Sequence, residues 1–171
     1  MMHIETERLL IVPFTPDMAG DVHRNSLDED TRRFVPDEVF ETEREAAAAL
    51  RFLMGRYESA EGPFVYPVLL KTGENVGYVQ AAPLEDGWEI GYHIAKAYTG
   101  RGYATEALKA FLPAIARRLG TRVIAGVCVR ENAASVRVME KCGFRRVFDG
   151  MGLYQGRERP IVKNEWIAPG E

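Results

Sequence analysis

Apolar residues along this chain follow two different periods, and the change between them marks its elements. Ala46, Leu50, Leu53, Met54 and Tyr57 recur at three- and four-residue intervals behind Thr42 and Glu45. That is the spacing of an amphipathic helix opened by a capping box. Gly62-Pro63 stops it. Residues 64–70, 75–81 and 88–94 are short runs rich in β-branched and aromatic side chains. Lys71-Thr72-Gly73-Glu74 and Glu85-Asp86-Gly87 separate them, so they read as strands joined by tight turns. Further on, Ala104, Ala107, Leu108, Phe111, Ile115 and Leu119 share one helical face, and Gly120 ends that helix. Pro113 inside it is expected to kink or break it, because proline lacks the N–H and clashes one turn back. Residues 122–129 form a buried-strand run. Asn132 caps a short helix that closes at Gly143, and 144–148 and 161–167 read as the last strands.

The N-terminal part follows the same logic. Residues 8–14 read as a first strand, and Thr15-Pro16 supplies a cap and a proline at the first helical position. The charged stretch 28–33 reads as a loop or a frayed helix. Early hairpins followed by β-α-β-α-β predict a mixed α+β fold, a sheet with helices on both faces. No repeat, low-complexity tract or linker divides the chain, so residues 1–171 are read as one domain.

Composition narrows the classes without choosing among them. Hydrophobic content of 46% with 27% charged residues is that of an ordinary globular domain. A net charge of −3 lacks the basic footprint of a nucleic-acid binder. No apolar run approaches a membrane span, and the start lacks a signal-peptide core, so a cytoplasmic protein without membrane or nucleic-acid partners is expected. Cys128 and Cys142, the two cysteines, have no metal-ligand spacing, and no metal site is expected.

The candidate chemistry concentrates in Thr99-Gly100-Arg101-Gly102-Tyr103-Ala104, which runs into the helix. The first amides of a helix lack intrahelical acceptors and carry the positive end of the macrodipole. Glycines let an anion approach such a terminus closely, and Arg101 adds a full charge, so the segment reads as a phosphate site. No Lys-Ser or Lys-Thr follows, which excludes a Walker loop. A Rossmann fingerprint is nearly matched at Gly100-x-Gly102, but its acidic residue about 20 positions later is missing. An ordinary glycine turn before a helix is the plainest alternative.

The same segment, TGRGYATEAL, resembles the acetyl-CoA pyrophosphate loop of the GNAT N-acetyltransferase superfamily, written Gln/Arg-x-x-Gly-x-Gly/Ala. Gly102 and Ala104 match it and Thr99 departs at its first position. Glu131-Asn132-Ala133-Ala134-Ser135 and Glu140-Lys141-Cys142-Gly143-Phe144 look like the ENxxS…EKxGF signature of the branch containing the ribosomal-protein N-terminal acetyltransferases. Thr6-Glu7-Arg8-Leu9-Leu10 is similar to that branch's first strand. The resemblance implies a mixed, mostly antiparallel sheet of six to seven strands, acetyl-CoA as co-substrate, and transfer to a primary amine by direct attack on the thioester. It implies coenzyme contacts from Arg101, Gly102, Tyr103 and Ala104 at the loop and from Tyr92, His93 and Ile94 as a strand edge, and a pantetheine contact from Asn132. His93 could offer backbone alone, and Asn132 could be no more than a helix cap.

Two catalytic residues follow from the same resemblance. Glu89 stands where many relatives carry a carboxylate base, although a surface acid beside Glu85 and Asp86 would look alike. Many relatives place a tyrosine at the position of Met139, which has no proton to give; the ENxxS branch uses the serine, here Ser135, to protonate the thiolate. Ser135 as a plain helix-surface hydroxyl is the competing reading, and Cys142 is read as packing. Residues 28–43 and the glycine-rich, mobile-looking 150–160 are expected to form the acceptor groove. Their mixed acids and arginines leave a protein N-terminus, an amino acid, a polyamine and an aminoglycoside open, as they do a homodimer. The alternatives are a coenzyme-binding protein without transfer activity and a dinucleotide-binding module; ligand-induced stabilisation and thiol release separate the three.

Overall fold

The computed structural model describes residues 2–170. One sheet of eight strands runs through the molecule in the order β1-β2-β3-β4-β5-β6-β8-β7. Its strands are β1 (Ile4–Glu5), β2 (Leu9–Ile11), β3 (Phe64–Leu70), β4 (Asn75–Leu84), β5 (Gly87–Ile94), β6 (Val123–Val129), β7 (Arg145–Tyr154) and β8 (Arg157–Ile167). Every neighbouring pair is antiparallel except β5 and β6. That arrangement is not a doubly wound parallel sheet, and the dinucleotide-module reading falls with it.

Five helices complete the fold: α1 (Ala19–Ser26), α2 (Glu29–Phe34), α3 (Glu43–Arg56), α4 (Tyr103–Leu119) and α5 (Ala133–Lys141). They cover both faces. The Tyr66 ring of β3 meets Phe111 of α4 edge-on at 5.8 Å, while on the opposite face His93 of β5 meets Thr31 of α2. With both faces covered, nearly every residue of β3 is buried, which is why the segment reads as a continuous apolar run.

Four details differ from the pattern read along the chain. The sheet has eight strands rather than six or seven, because the start of the chain adds the two-residue β1 and the end forms a full hairpin. Residues 150–160 are that hairpin: β7 and β8 pair from Arg145↔Glu165 to Tyr154↔Arg157, turning through Gln155 and Gly156 at positive φ. Gly150 and Gly152 resemble a mobile loop in sequence but are strand residues in the fold, and Gly156 lies in the tight turn between the strands. Residues 28–33 are not frayed, since the Asp28 side chain accepts from the Thr31 amide at 2.8 Å and caps α2. Thr15-Pro16 opens a short 3₁₀ turn, Pro16–Met18, that leads into α1, and Thr15 makes no capping bond to the backbone.

Pro113 does not divide α4, which is continuous from Tyr103 to Leu119. A proline within a helix costs about 3 kcal/mol. Phe111, Leu112 and Ile115 beside it are at most 1% exposed, and burying a side chain of this size contributes about 1.5–3 kcal/mol. Packing therefore outweighs the missing hydrogen bond.

Candidate functional site

The site begins where β5 and β6 part. These parallel strands pair only at Glu89↔Ala125 and Ile90↔Gly126. Beyond Ile90 they diverge, and a cleft of about 860 Å³ opens between them, lined among others by Glu89, Tyr92, Asn132, Ser135 and Tyr154. Strand backbone groups alternate in direction. A Cβ on Gly77 of β4 would collide with the His93 carbonyl oxygen, and the Ala95 amide donates to Val76, so positions 93 and 95 turn toward β4. Tyr92 and Ile94 therefore turn their N–H and C=O groups into the opening, an unpaired strand edge of the kind a peptide-like ligand can extend. His93 does not reach that edge with its backbone. Its ring lies on the opposite face, with Nε2 2.8 Å from Thr31 Oγ1 and 3.5 Å from Asp28 Oδ1.

The phosphate end lies at the start of α4. Gly102 caps the helix with φ +81° and ψ +9°, and no side chain caps the first amides. A left-handed residue is what turns the chain so that the amides of residues 103 and 104 face outward, and glycine adopts it without a Cβ penalty. Arg101 is exposed, its guanidinium 5.9 Å from the centre of the Tyr98 ring.

A residue missed as a functional candidate joins the loop. Arg8 of the first-strand motif stacks over the Tyr103 ring at 4.6 Å and donates from Nη1 to the Arg101 carbonyl at 2.9 Å. Its Nη2 would lie 3.4 Å from a Cβ on Gly102 and is 2.6 Å from Glu106 Oε2, so the cation at the mouth of the loop is already ion-paired. Glu106 of α4 fixes Arg8 by accepting from its backbone N–H at 2.9 Å and its Nε at 2.6 Å, and it also accepts from Thr6 Oγ1 at 2.7 Å. Burial works against ionising Glu106, but these donors from Thr6 and Arg8 together hold it below its usual range. The motif Thr6-Glu7-Arg8 could have revealed this, had its arginine been read as a partner of the loop rather than as part of a strand.

Around the opening, α5 brings its first turn toward β5. Asn132 caps the helix by accepting from the Ser135 amide at 3.2 Å. Ser135 Oγ lies 2.7 Å from the Tyr92 hydroxyl, which also donates to the Ser135 carbonyl at 2.9 Å. One phenol proton cannot serve both oxygens. With it on the carbonyl, the serine hydroxyl donates to Tyr92 Oη. Burial pushes the Tyr92 phenol well above its ordinary range, so it is neutral. Met139 is a core residue, 2% exposed, with Sδ 3.2 Å from Asn164 Nδ2. Cys128 and Cys142 are buried and free, and burial pushes each thiol up to about 11.

The other face of β5 carries the carboxylate chemistry. Glu89 is part-buried on the same face as His93, and burial raises it while Lys163 nearby lowers it; burial prevails. Tyr154 of β7 stands between Glu89 and Glu38, both close enough to push its phenol up further after burial has done most of it. Glu38 lies on the 3₁₀ turn Pro36–Glu38 after α2. Sequence reading had no signal for either residue beyond placing the two segments in the acceptor groove.

Comparison with known proteins now identifies the class. Residues 8–145 match the model of the acetyltransferase (GNAT) domain family, and the chain belongs to that family. It is 33% identical over 148 residues to the uncharacterized N-acetyltransferase YnaD of Bacillus subtilis, covering 85% of this chain and 84% of that one. The GNAT-family acetyltransferase from Bacillus anthracis superposes with a TM-score of 0.82 at 29% identity, over 97% of this chain and 98% of that one. The ribosomal L7/L12 alpha-N-protein acetyltransferase RimL, solved with coenzyme A, shares the fold with a TM-score of 0.84 at 18% identity, over 98% of each chain. The protein is thus an acetyl-CoA-dependent N-acetyltransferase. No group of His, Cys, Asp or Glu among the described residues could hold a metal, and no helix among them is long and apolar enough to cross a membrane.

Proposed function

We propose that this enzyme transfers acetyl to a primary amine by direct attack, with the donor entering from the α5 side of β5 and the acceptor from the α2 side. The observation that carries this reading is the parting of β5 from β6 directly above Glu89. The gap exposes both faces of one strand to a single cleft, so two substrates can meet across it.

The residues present fit the donor. The amides of residues 102–104, with Arg101 and Arg8, offer an anion site at a helix terminus. The Tyr92 and Ile94 backbone groups offer amide-like pairing for the pantetheine arm, with Asn132 beside it. His93 belongs to the acceptor side instead. Glu89 takes the proton of the incoming ammonium, directly or through water, because an ammonium of pKa about 10 does not attack until it is deprotonated. Its raised affinity for a proton makes it a stronger base than an ordinary carboxylate. The amine nitrogen then bonds to the carbonyl carbon, the carbon–sulfur bond breaks, Ser135 supplies a proton to the departing sulfur, and the nitrogen sheds its second proton to water as it becomes an amide. The proton shed by the nitrogen can restore the serine hydroxyl through water, and the neutral Tyr92 phenol beside it, whose own proton rests on the Ser135 carbonyl, holds that hydroxyl in place.

A cysteine-linked acetyl intermediate is disfavoured, since the thiols of Cys128 and Cys142 are buried and held far from thiolate. We infer a cytoplasmic setting, in which both would stay reduced. Self-association would draw on the edge strand β7, which exposes Val147, Met151 and Leu153. The deciding experiment is thiol release from acetyl-CoA across a panel of primary amines. Release with at least one amine, and no covalent acetyl adduct by mass spectrometry without acceptor, is the expected result. Binding of acetyl-CoA without release with any amine would leave a coenzyme-binding protein instead.

A further inference from the structure

Glu38 has no use in the transfer step, yet it lines the cleft on the acceptor side, where the cleft adjoins a smaller apolar cavity that Glu38 also lines. Its Oε2 is fully buried and has no hydrogen-bond partner. Gln80 of β4 is the side chain that eases its charge, and Gln80 lies flat across β5 because position 91 is glycine. A Cβ there would come within 2.6 Å of Gln80 Nε2. The carboxylate therefore rests on a prepared amide.

The cations near the cleft are committed elsewhere. Lys163 faces Glu89. Arg159 is held by Glu131 at 2.6 Å, and Arg33 lies 3.5 Å from the same carboxylate. The charged neighbours that do face Glu38 are acidic or neutral: Asp37 on its own turn raises its pKa, and Tyr154 of β7 feels both Glu38 and Glu89. Asp30 of α2 and His93 of β5 line the same cleft. A buried carboxylate with a free lone pair and no cation is a costly arrangement that an incoming cation relieves.

We propose that Glu38 recognises a second positive charge on the acceptor, so that the preferred substrate is a dicationic amine: one ammonium reacts at Glu89 and the other pairs with Glu38. This rests on the acetyltransferase reading above and adds the class of acceptor to it. An acceptor with a carboxylate in place of the second ammonium would face Glu38 and Asp30 and is disfavoured.

Putrescine, butylamine and γ-aminobutyrate share a four-carbon chain and differ only at the far end, so they isolate the effect. Thiol release from acetyl-CoA should show kcat/KM higher for putrescine than for butylamine by about tenfold, the usual worth of a hydrogen bond between charged groups, and lowest for γ-aminobutyrate. Glu38→Gln should bring putrescine and butylamine to within about twofold of each other, chiefly through KM, while Asp37→Asn on the same turn keeps the preference. Equal kcat/KM for putrescine and butylamine in the parent, or a preference that survives Glu38→Gln, overturns the proposal.

A binding readout separates it from the acetyltransferase reading. Burial raises the Glu38 carboxyl to about 7 in the folded protein against 4.5 in the free side chain, with Gln80 opposing and Asp37 adding. Its stabilising contribution is then complete below pH 4.5 and is lost as pH rises through about 7. Without ligand, the parent should lose thermal stability relative to Glu38→Gln across that window. At pH 8, putrescine should raise the melting temperature of the parent and not of the variant. No thiol release with any amine would defeat the acetyltransferase reading alone, and equal putrescine stabilisation in both proteins would defeat the role of Glu38 alone.

Discussion

The two sides of β5 are built from different materials. On the side proposed for the donor, the groups offered for recognition are largely backbone: the amides after Gly102 and the unpaired edge at Tyr92 and Ile94. On the acceptor side they are side chains, Glu38, Gln80, Glu89 and Tyr154, gathered from four elements and a span of more than a hundred residues. Backbone recognition depends on local conformation, which a short motif can specify. Side-chain recognition depends on which distant segments meet, and each such residue can change without disturbing the fold. The proposed donor side thus rests on local conformation, and the proposed acceptor side on the meeting of distant segments. Substitutions can test this division, because each side should fail in its own kinetic constant.

The largest effect is expected at Glu89. Glu89→Gln keeps the shape of the cleft and removes the proton acceptor. Turnover with an amine acceptor should fall about 100-fold at neutral pH, the low end of the range for general base catalysis. In the parent, activity should fall on the acid side as the raised Glu89 carboxyl takes up its proton. The variant lacks that limb, so its rate should climb with pH as free amine becomes available and recover in part toward the amine pKa of about 10. An unchanged rate and pH profile would move the base to another group, and the acceptor side would lose its centre.

Next in size is the donor loop. Gly102→Asp puts a β-carbon on a residue with φ +81° and a negative charge where phosphate is expected. Acetyl-CoA affinity should weaken by at least tenfold, or about 1.4 kcal/mol, by calorimetric titration. The new carboxylate would stand near Arg8, whose guanidinium is 3.4 Å from the added carbon, and could neutralise that cation as well. Far-ultraviolet circular dichroism of the variant should match the parent. Undiminished affinity would place the phosphates elsewhere. Arg8→Ala should weaken binding less, because Arg101 and the helix amides remain.

How much of this was legible in the chain follows the same division. TGRGYATEAL announced both a glycine turn and the helix behind it, since glycine placement and helix periodicity are local properties; the left-handed conformation of Gly102 is what the structure adds. The ENxxS run announced the Asn132 cap for the same reason. His93 was assigned to the coenzyme edge because sequence gives a strand but not which residues pair inward; only the register with β4 shows that 92 and 94, not 93, face the opening. The β7–β8 hairpin was hidden because Gly150, Gly152 and Gly156 mimic a loop, while pairing along nine registered positions comes from tertiary context. Glu38 was hidden most completely. It sits in the polar stretch Pro36-Asp37-Glu38, and nothing local marks one acid as part-buried and the other as exposed.

The smallest effect is expected at Ser135, the point where the two sides touch. A thiol of pKa about 8.5 is a good leaving group, so a proton delivered to its sulfur lowers the barrier far less than removing one from the amine. Ser135→Ala should therefore reduce kcat only about three- to tenfold, below the usual range of general acid–base effects. Acetyl-CoA affinity should hold, because the Asn132 cap depends on the Ser135 amide and not its hydroxyl. Tyr92→Phe removes the phenol that sits 2.7 Å from Ser135 Oγ while keeping the backbone edge. If the two hydroxyls act as one unit, the double variant should be no slower than the slower single one, since groups that work together do not add. Full additivity would separate them, making Tyr92 a packing residue and Ser135 an independent donor. A loss of affinity in Tyr92→Phe with kcat intact would instead return Tyr92 to the donor side, as a contact that binds and does not react.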